Sequence, residues 1–250
     1  MKALITGAST GLGRDMTRVL HKMGTELYLV ARNTSLLEKL KSELDDSPVI
    51  ISLDLSDEDN CKKLYDMLKD KDIDILINNA GFGAFGNFSD TSLEREMNMV
   101  DLNIKGLHVL TKLFLADFSE KNRGYILNVA SAAAFLPGPL MATYYATKAY
   151  VLRLTLALHE ELRRKKSSVY VGVLCPGPVD TDFNKNAGVK FNLSALKSDF
   201  VAKYAIRKML KRKLIIIPGL TIKLGIFFEK FLPQKLLLKI SYKIQHQKEG

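Results

Sequence analysis

Short, almost uninterrupted apolar runs alternate with stretches of helical period along the chain. The runs are KALIT (2–6), ELYLVA (26–31), VIISLDL (49–55), IDILIN (73–78), GYILNVAS (124–131), VYVGVLCPG (169–177) and LIIIP (214–218). They are rich in Val, Ile and Leu and too continuous to leave one face in water, which predicts parallel strands covered on both sides. Between them, SLLEKLKSEL (35–44) and YVLRLTLALHEELRR (150–164) carry apolar residues at helical spacing. Seven strands interleaved with helices predict right-handed βαβ units and a doubly wound α/β sheet. No linker, repeat or low-complexity tract interrupts the series, so 1–250 reads as one domain.

Two positions along this pattern carry chemistry. The first strand runs into TGASTGLG (6–13), with Gly7, Gly11 and Gly13 ahead of a helix. Glycines there let the backbone turn tightly and approach a pyrophosphate, which is held by the free N–H groups and positive dipole end of the helix. Further on, YYATK (144–148) sets Tyr144 four residues and Tyr145 three residues before Lys148. Both spacings fit one helix face, so spacing alone leaves either tyrosine able to pair with the lysine.

The order of these motifs resembles the short-chain dehydrogenase/reductase family over at least residues 1–185. The resemblance is carried by TGASTGLG, NNAG (78–81), Asn103 in DLN, Ser131, the Tyr-x-x-x-Lys of Tyr144 and Lys148, and PGPVDT (176–181). It implies a single Rossmann-type domain with a mostly parallel seven-stranded sheet flanked by helices. It also chooses Tyr144 over Tyr145 as acid/base, with Lys148, Ser131 and Asn103 as its catalytic partners. Asn103 is implied to support a water linking Lys148 to solvent. Cofactor contacts are implied for Gly7, Ser9, Thr10, Gly11, Leu12 and Gly13, then for Arg32, Asn33, Asp54 and Leu55. They continue through Asn79, Ala80, Gly81, Tyr144 and Lys148 to Pro176, Gly177, Val179 and Thr181. The resemblance also implies Asp54 near the adenine, Asn78 and Gly81 near the adenosine end, and Thr181 near the nicotinamide amide.

Elementary chemistry runs beside the resemblance. A phenol with a pKa near ~10 is a poor proton donor or acceptor at neutral pH, and a nearby ammonium favours the phenolate. Tyr144 beside Lys148 is therefore expected to titrate below the ordinary phenol, with the Ser131 hydroxyl sharing the reacting oxygen. The second strand ends in LYLVARN, with Arg32 and Asn33 and no acid. A carboxylate there suits the ribose hydroxyls of NAD, whereas a guanidinium suits a 2′-phosphate. NADP(H) is the expected cofactor over NAD(H), although many NADP-binding relatives carry a basic residue where this chain has Thr10. The function predicted is carbonyl reduction or alcohol oxidation. The alternatives are an oxidising hydroxysteroid-type or sugar-type dehydrogenase, and a non-enzymatic NADPH sensor acting through the tail.

Composition narrows the picture further. Cys61 and Cys175 are far apart and form no CxxC, and four scattered histidines show no ligand spacing, so neither a disulfide framework nor a metal site is expected. The start MKALITGAS has no secretory character, and no segment reads as a spanning helix. The expectation is a cytoplasmic protein, at most attached to a membrane surface. Apolar loops FGAFGNF (82–88), FLPGPLM (135–141) and AGVKFNLSAL (187–196) follow the strands. In them Phe82, Phe85, Phe135, Leu136, Leu140 and Met141, with Phe183, either line a pocket for an apolar carbonyl compound or close and pack the core. The loop after the sixth strand reads as the lid.

The net charge of +10 is unevenly placed, for residues 185–250 hold 15 Lys and Arg against 3 Asp and Glu. The basic, apolar extension 219–250 sets Lys235, Lys239 and Lys243 at helical spacing, with Leu236, Leu237, Ile240 and Ile244 for another face. It suits an anionic membrane surface, or a helix pair packed over the pocket or a subunit interface. Nucleic acid is a poor fit to so aliphatic a tail. The resemblance implies a homodimer or homotetramer through the helices carrying Asn103 and Tyr144.

Overall fold

The computed structural model describes residues 1–181, 183, 195–229 and 231–246. Strand β1 (Lys2–Thr6) lies inside a seven-stranded sheet, between β2 (Glu26–Ala31) and β4 (Ile75–Asn78). Beyond β2 lies β3 (Val49–Ser52), and beyond β4 lie β5 (Tyr125–Val129), β6 (Tyr170–Leu174) and β9 (Ile215–Ile216). Every pair is parallel, with Ile5 opposite Leu29 on one side and Ile77 on the other. A separate parallel pair, β7 (Val179–Asp180) with β8 (Leu196–Lys197), stands beyond the end of β6. The chain builds outward from β1 through β2 and β3, then returns to build the other half from β4. That reversal opens a crevice above the carboxyl ends of β1 and β4.

Nine α-helices are described: α1 (Gly11–His21), α2 (Thr34–Ser42), α3 (Glu58–Leu68), α4 (Leu93–Val100), α5 (Leu107–Glu120), α6 (Ala142–Arg164), α7 (Ser198–Leu210), α8 (Leu220–Glu229) and α9 (Gln234–His246). A π-helical segment, Asp101–Gly106, joins α4 to α5. Strand periodicity divides the apolar residues between the two faces of the sheet. Ala3 and Ile5 of β1 join Met16 and Leu20 of α1 and Ala202 and Ile206 of α7 in one core. Leu4 faces the other way, into a core with Leu64 of α3 and Phe114 and Phe118 of α5. Cys61 and Cys175 are free and buried in separate cores.

The two strands that stop furthest short of their apolar runs do so for local reasons. β3 stops at Ser52 rather than residue 55, because Asp54 turns the chain by accepting from the Ser56 N–H and hydroxyl. β6 stops at Leu174 rather than 177, just ahead of Pro176, which has no N–H to give a ladder. Helix α6 begins at Ala142, eight residues before the apolar period starts, so both Tyr144 and Tyr145 lie on it.

A buried polar ladder ties the strands near the crevice. The Asn78 side-chain amide donates to Asn128 Oδ1 and to Thr111 Oγ1, both at 2.9 Å, and the Asn128 amide donates to Thr155 Oγ1 at 3.0 Å. Asn78 therefore belongs to the core between β4, β5, α5 and α6. It does not reach the crevice, contrary to its implied place beside the adenosine.

Candidate active site

The crevice is a cleft of about 570 Å³, and most of the residues singled out in the sequence meet in it. Its phosphate end is the turn after β1. Gly7 adopts φ +62, a left-handed conformation that side chains resist, and a Cβ there would also meet the Ala80 backbone at 2.8 Å. Gly13 serves a different need, since a Cβ would come within 2.2 Å of the Gly7 carbonyl oxygen. Only glycine lets α1 pack this closely under the turn, so Gly13 shapes the cleft from below while Gly7, Ser9, Thr10, Gly11 and Leu12 line it. Thr10 caps α1 without a side-chain hydrogen bond. The first-turn N–H groups of α1, which have no intrahelical partner, remain available to an anion. Asn79 braces the turn, its amide donating to the Thr6 and Gly7 carbonyls at 3.0 Å each. The cradle thus fits a dinucleotide pyrophosphate in shape and donor set.

Arg32 and Asn33 lie on the rim where β2 ends, with Asp54 and Leu55 beside them. Arg32 is largely exposed, and its guanidinium stands 3.6 Å from Asp54 Oδ2. Burial pushes the Asp54 carboxyl up, but the Ser56 bonds and Arg32 together hold it below its ordinary value. Asn33 has a local duty as N-cap of α2, its Oδ1 accepting from Leu36 N–H at 3.1 Å. Ala80 and Gly81 follow β4 along the floor, and Pro176, Gly177, Val179 and Thr181 close the far wall.

Ser131, Tyr144 and Lys148 share the middle of the cleft. Ser131 lies two residues beyond β5 and caps a 3₁₀ turn, Ala132–Phe135, its Oγ accepting from Ala133 N–H at 3.1 Å. Tyr144 and Lys148 lie one turn apart on α6. Burial drives the Tyr144 phenol well above the ordinary pKa, and the Ser131 hydroxyl opposes this by hydrogen bonding. The expectation that Lys148 pulls Tyr144 below the ordinary phenol does not hold for these side chains. The Lys148 ammonium sits 5.8 Å from the Tyr144 ring centre and donates instead to the Val129 carbonyl at 3.0 Å. Burial lowers Lys148 itself to about 8, while the Cys175 sulfur opposes that shift.

Tyr145 has a separate role in the packing. Its ring covers Gly138, where even a Cβ would fall within 2.1 Å of it, and its hydroxyl accepts from the Gln245 amide of α9. Burial raises its pKa to about 12. Asn103 is buried in the π-helical segment beneath the cleft and does not line it. Its Oδ1 accepts from Phe82 N–H at 3.1 Å, while its amide donates to the Phe82 carbonyl at 2.9 Å and to Thr147 Oγ1 at 3.1 Å. The side chain is spent on clamping the loop after β4 to α6.

The apolar mouth is narrower in membership than the loops suggest. Phe82, Leu136, Met141 and Phe183 line it. Phe85 packs beside Ala84 and Met99, Phe135 packs towards Leu107 and Val151, and Leu140 is buried. Phe85 and Phe135 are half-buried against those clusters, and none of the three lines the cleft. The proposed lid segment 187–196 lies outside the described residues except for 195 and 196. Ile244 and Gln245 of α9 also line the cleft, in line with the reading of the tail as helices packed over the pocket, although Gln245 itself carried no signal in the sequence. Among the described residues no cluster of His, Cys, Asp or Glu could hold a metal ion.

A glycine turn at the switch point of a doubly wound sheet, with a Ser–Tyr–Lys group in the same crevice, defines a dinucleotide-dependent oxidoreductase. The chain belongs to the short chain dehydrogenase family, whose model matches residues 1–190. It is 35% identical over 182 residues to an uncharacterised oxidoreductase of Staphylococcus epidermidis, covering 72% of this chain and 78% of that protein. A short-chain dehydrogenase from Sphingobium yanoikuyae in complex with NADPH superposes with a TM-score of 0.81 at 32% identity, over 88% of each chain. The bulky-bulky ketone specific alcohol dehydrogenase from Comamonas testosteroni gives a TM-score of 0.79 at 31% identity, over 88% of this chain and 86% of that one.

Proposed function

We propose that this oxidoreductase interconverts a carbonyl and an alcohol on an apolar substrate, with NADP(H) preferred over NAD(H). The observation that carries the reading is the convergence of Ser131, Tyr144 and Lys148 on one cleft whose other end is the glycine cradle. When bound, the nicotinamide supplies or accepts a hydride at the substrate carbon.

Tyr144 gives its phenolic proton to the carbonyl oxygen, or takes one back from the alcohol. Its raised pKa keeps it protonated at neutral pH, the form needed for reduction. Ser131 shares the same oxygen and holds it against the phenol. The Lys148 ammonium offsets the charge left on the phenolate once the proton has gone. Asn103 acts through others, since it fixes Phe82 at the mouth and Thr147 on α6.

Arg32 supports the NADP(H) preference: it is exposed on the rim, no acid follows β2, and a guanidinium binds a phosphate bidentately. The NADPH complex of the Sphingobium relative points the same way. Phe82, Leu136, Met141 and Phe183 support an apolar substrate, in keeping with the ketone specificity named for the Comamonas enzyme. A dimer or tetramer belongs to the same proposal, supported by Leu93 and Met97, exposed one turn apart on α4 beside the Asn103 segment.

The test is the loss of nicotinamide absorbance with NADPH, and separately NADH, across ketones and aldehydes graded in apolar size. The expected result is turnover with NADPH that improves towards the larger apolar members. Equal rates with both cofactors would remove the preference, and turnover confined to small polar carbonyls would remove the substrate class.

A further inference from the structure

The last two helices present an apolar and basic surface that the rest of the protein leaves uncovered. Helix α8 rests on the body through Ile222, which lies against Gly177, and through buried Ile226. At 100° per residue the opposite face of α8 and the turn after it carries Leu220, Leu224, Phe227, Phe228 and Phe231. These are exposed, Leu220 by 72% and Phe231 by 70%. The three rings pack on one another, with Phe227 centred 5.4 Å from both Phe228 and Phe231. More than half of the exposed large apolar side chains among the described residues fall between 220 and 244.

Helix α9 is anchored differently. Leu237, Ser241 and Gln245 face the body; Ser241 donates to the Pro137 carbonyl at 2.6 Å, and Gln245 donates to Tyr145. The row facing directly away is Lys235, Lys239 and Lys243, flanked by exposed Leu236, Ile240 and Ile244 on one side and Leu238 and Tyr242 on the other. Among the described residues these three lysines form no ion pair.

We propose that α8 and α9 dock this protein on the surface of an anionic lipid bilayer. The aromatic and leucine face of α8 enters the boundary between headgroups and acyl chains, and the lysines of α9 meet the phosphates. No helix among the described residues is long and apolar enough to cross a membrane, so the attachment lies in the plane of the surface. Charge decides between a bilayer and a second copy of the chain. A two-fold contact through this face would set like surfaces together and bring one lysine row towards the other. An anionic surface instead attracts every lysine in the row. The docked face adjoins the cleft, since Ile244 and Gln245 line it from the same helix.

The test is flotation of the full chain with vesicles of phosphatidylcholine alone and of phosphatidylcholine mixed with phosphatidylglycerol, with no cofactor or substrate present. Its outcome is therefore independent of the proposed reaction. The protein is expected to float with the anionic vesicles, less so as salt rises. Combined Phe227→Glu and Phe231→Glu should lower partitioning by about tenfold or more, as should Lys235→Glu, Lys239→Glu and Lys243→Glu together. Both sets lie on the exposed surface, and an unchanged melting curve shows that the fold survives. Failure of the folded wild type to float overturns the proposal, and so does flotation that neither set alters. An oligomer that the phenylalanine substitutions dissolve, without vesicle binding, assigns the face to a second copy and overturns it equally.

Discussion

The Lys148 ammonium donates to the Val129 carbonyl at 3.0 Å, and this bond, not contact with the Tyr144 phenol, holds it in the cleft. It fastens α6 to the end of β5 and keeps a positive charge within a turn of the phenol without neutralising it. Burial lowers Lys148 to about 8 from an ordinary 10.5, so the folded state bears a cost for keeping it charged.

Replacing Lys148 with Met should therefore remove that cost and end turnover, while the Val129 carbonyl left without its donor sets a pH-independent loss against the gain. The folded pKa lies below the unfolded one, so the cost is full below about pH 8 and fades as pH rises towards 10.5. Urea unfolding should show the stability of Lys148→Met relative to wild type greatest near neutral pH and falling as pH rises from about 8 towards 10.5. A difference that does not change with pH would contradict this reading of the buried ammonium.

Tyr144→Phe should cut kcat by about 10² to 10⁴-fold and leave the NADPH dissociation constant almost unchanged. In the wild type, burial raises Tyr144, so the phenol stays protonated through the neutral range. Carbonyl reduction should be level there and fall as pH climbs through about 8, where Lys148 loses its proton. A profile that declines between pH 6 and 7 would point to another ionising group.

Arg32→Glu should weaken NADPH by about 10 to 100-fold, the range for a lost hydrogen bond to a charged group. NADH should bind as before, because it lacks the 2′-phosphate. The substitution also sets an acid beside Asp54, whose carboxyl should then titrate higher than in the wild type. Fluorescence titration with both cofactors checks the preference directly.

Asn103→Ala removes both bonds to the Phe82 backbone and the bond to Thr147. Polar groups left buried without partners cost about 1 to 3 kcal/mol each, so the melting temperature should drop by several degrees. Asn103→Asp keeps an acceptor for the Phe82 N–H but sets a buried carboxylate oxygen against the Phe82 carbonyl, so at neutral pH it should lose at least as much as the alanine variant and recover as the carboxyl is protonated in acid. A loss in Asn103→Asp that does not change with pH would contradict that account.

Much of this molecule could be read in one dimension because the deciding forces are local. A strand buried on both faces needs a continuous apolar run, and β1, β2 and β4 to β6 have one. The turn from Gly7 to Gly13 needs glycine for backbone reasons, and Tyr144 and Lys148 are brought to one helix face by their spacing. Contacts between distant segments were not legible. Asn78 and Asn79 are neighbours in sequence, yet strand alternation sends one into the polar ladder and leaves the other bracing the turn. Phe135 and Leu136 divide in the same way, one packed against the Leu107 and Val151 cluster and one lining the cleft.

The sequence alone therefore determined the alternating α/β pattern and the glycine cradle, which follow from periodicity and from residue types at fixed short spacing, while the choice of Tyr144 over Tyr145 came from the resemblance of the motif order to a known family. Tertiary structure decided the rest. It spends Asn103 on Phe82, ties Lys148 to Val129 and raises the Tyr144 phenol where a lower pKa was expected. It also lays α9 across residues a hundred positions earlier, through Ser241 to Pro137 and Gln245 to Tyr145. Burial and hydrogen-bond partnership depend on which surfaces meet, and only the folded chain brings those surfaces together.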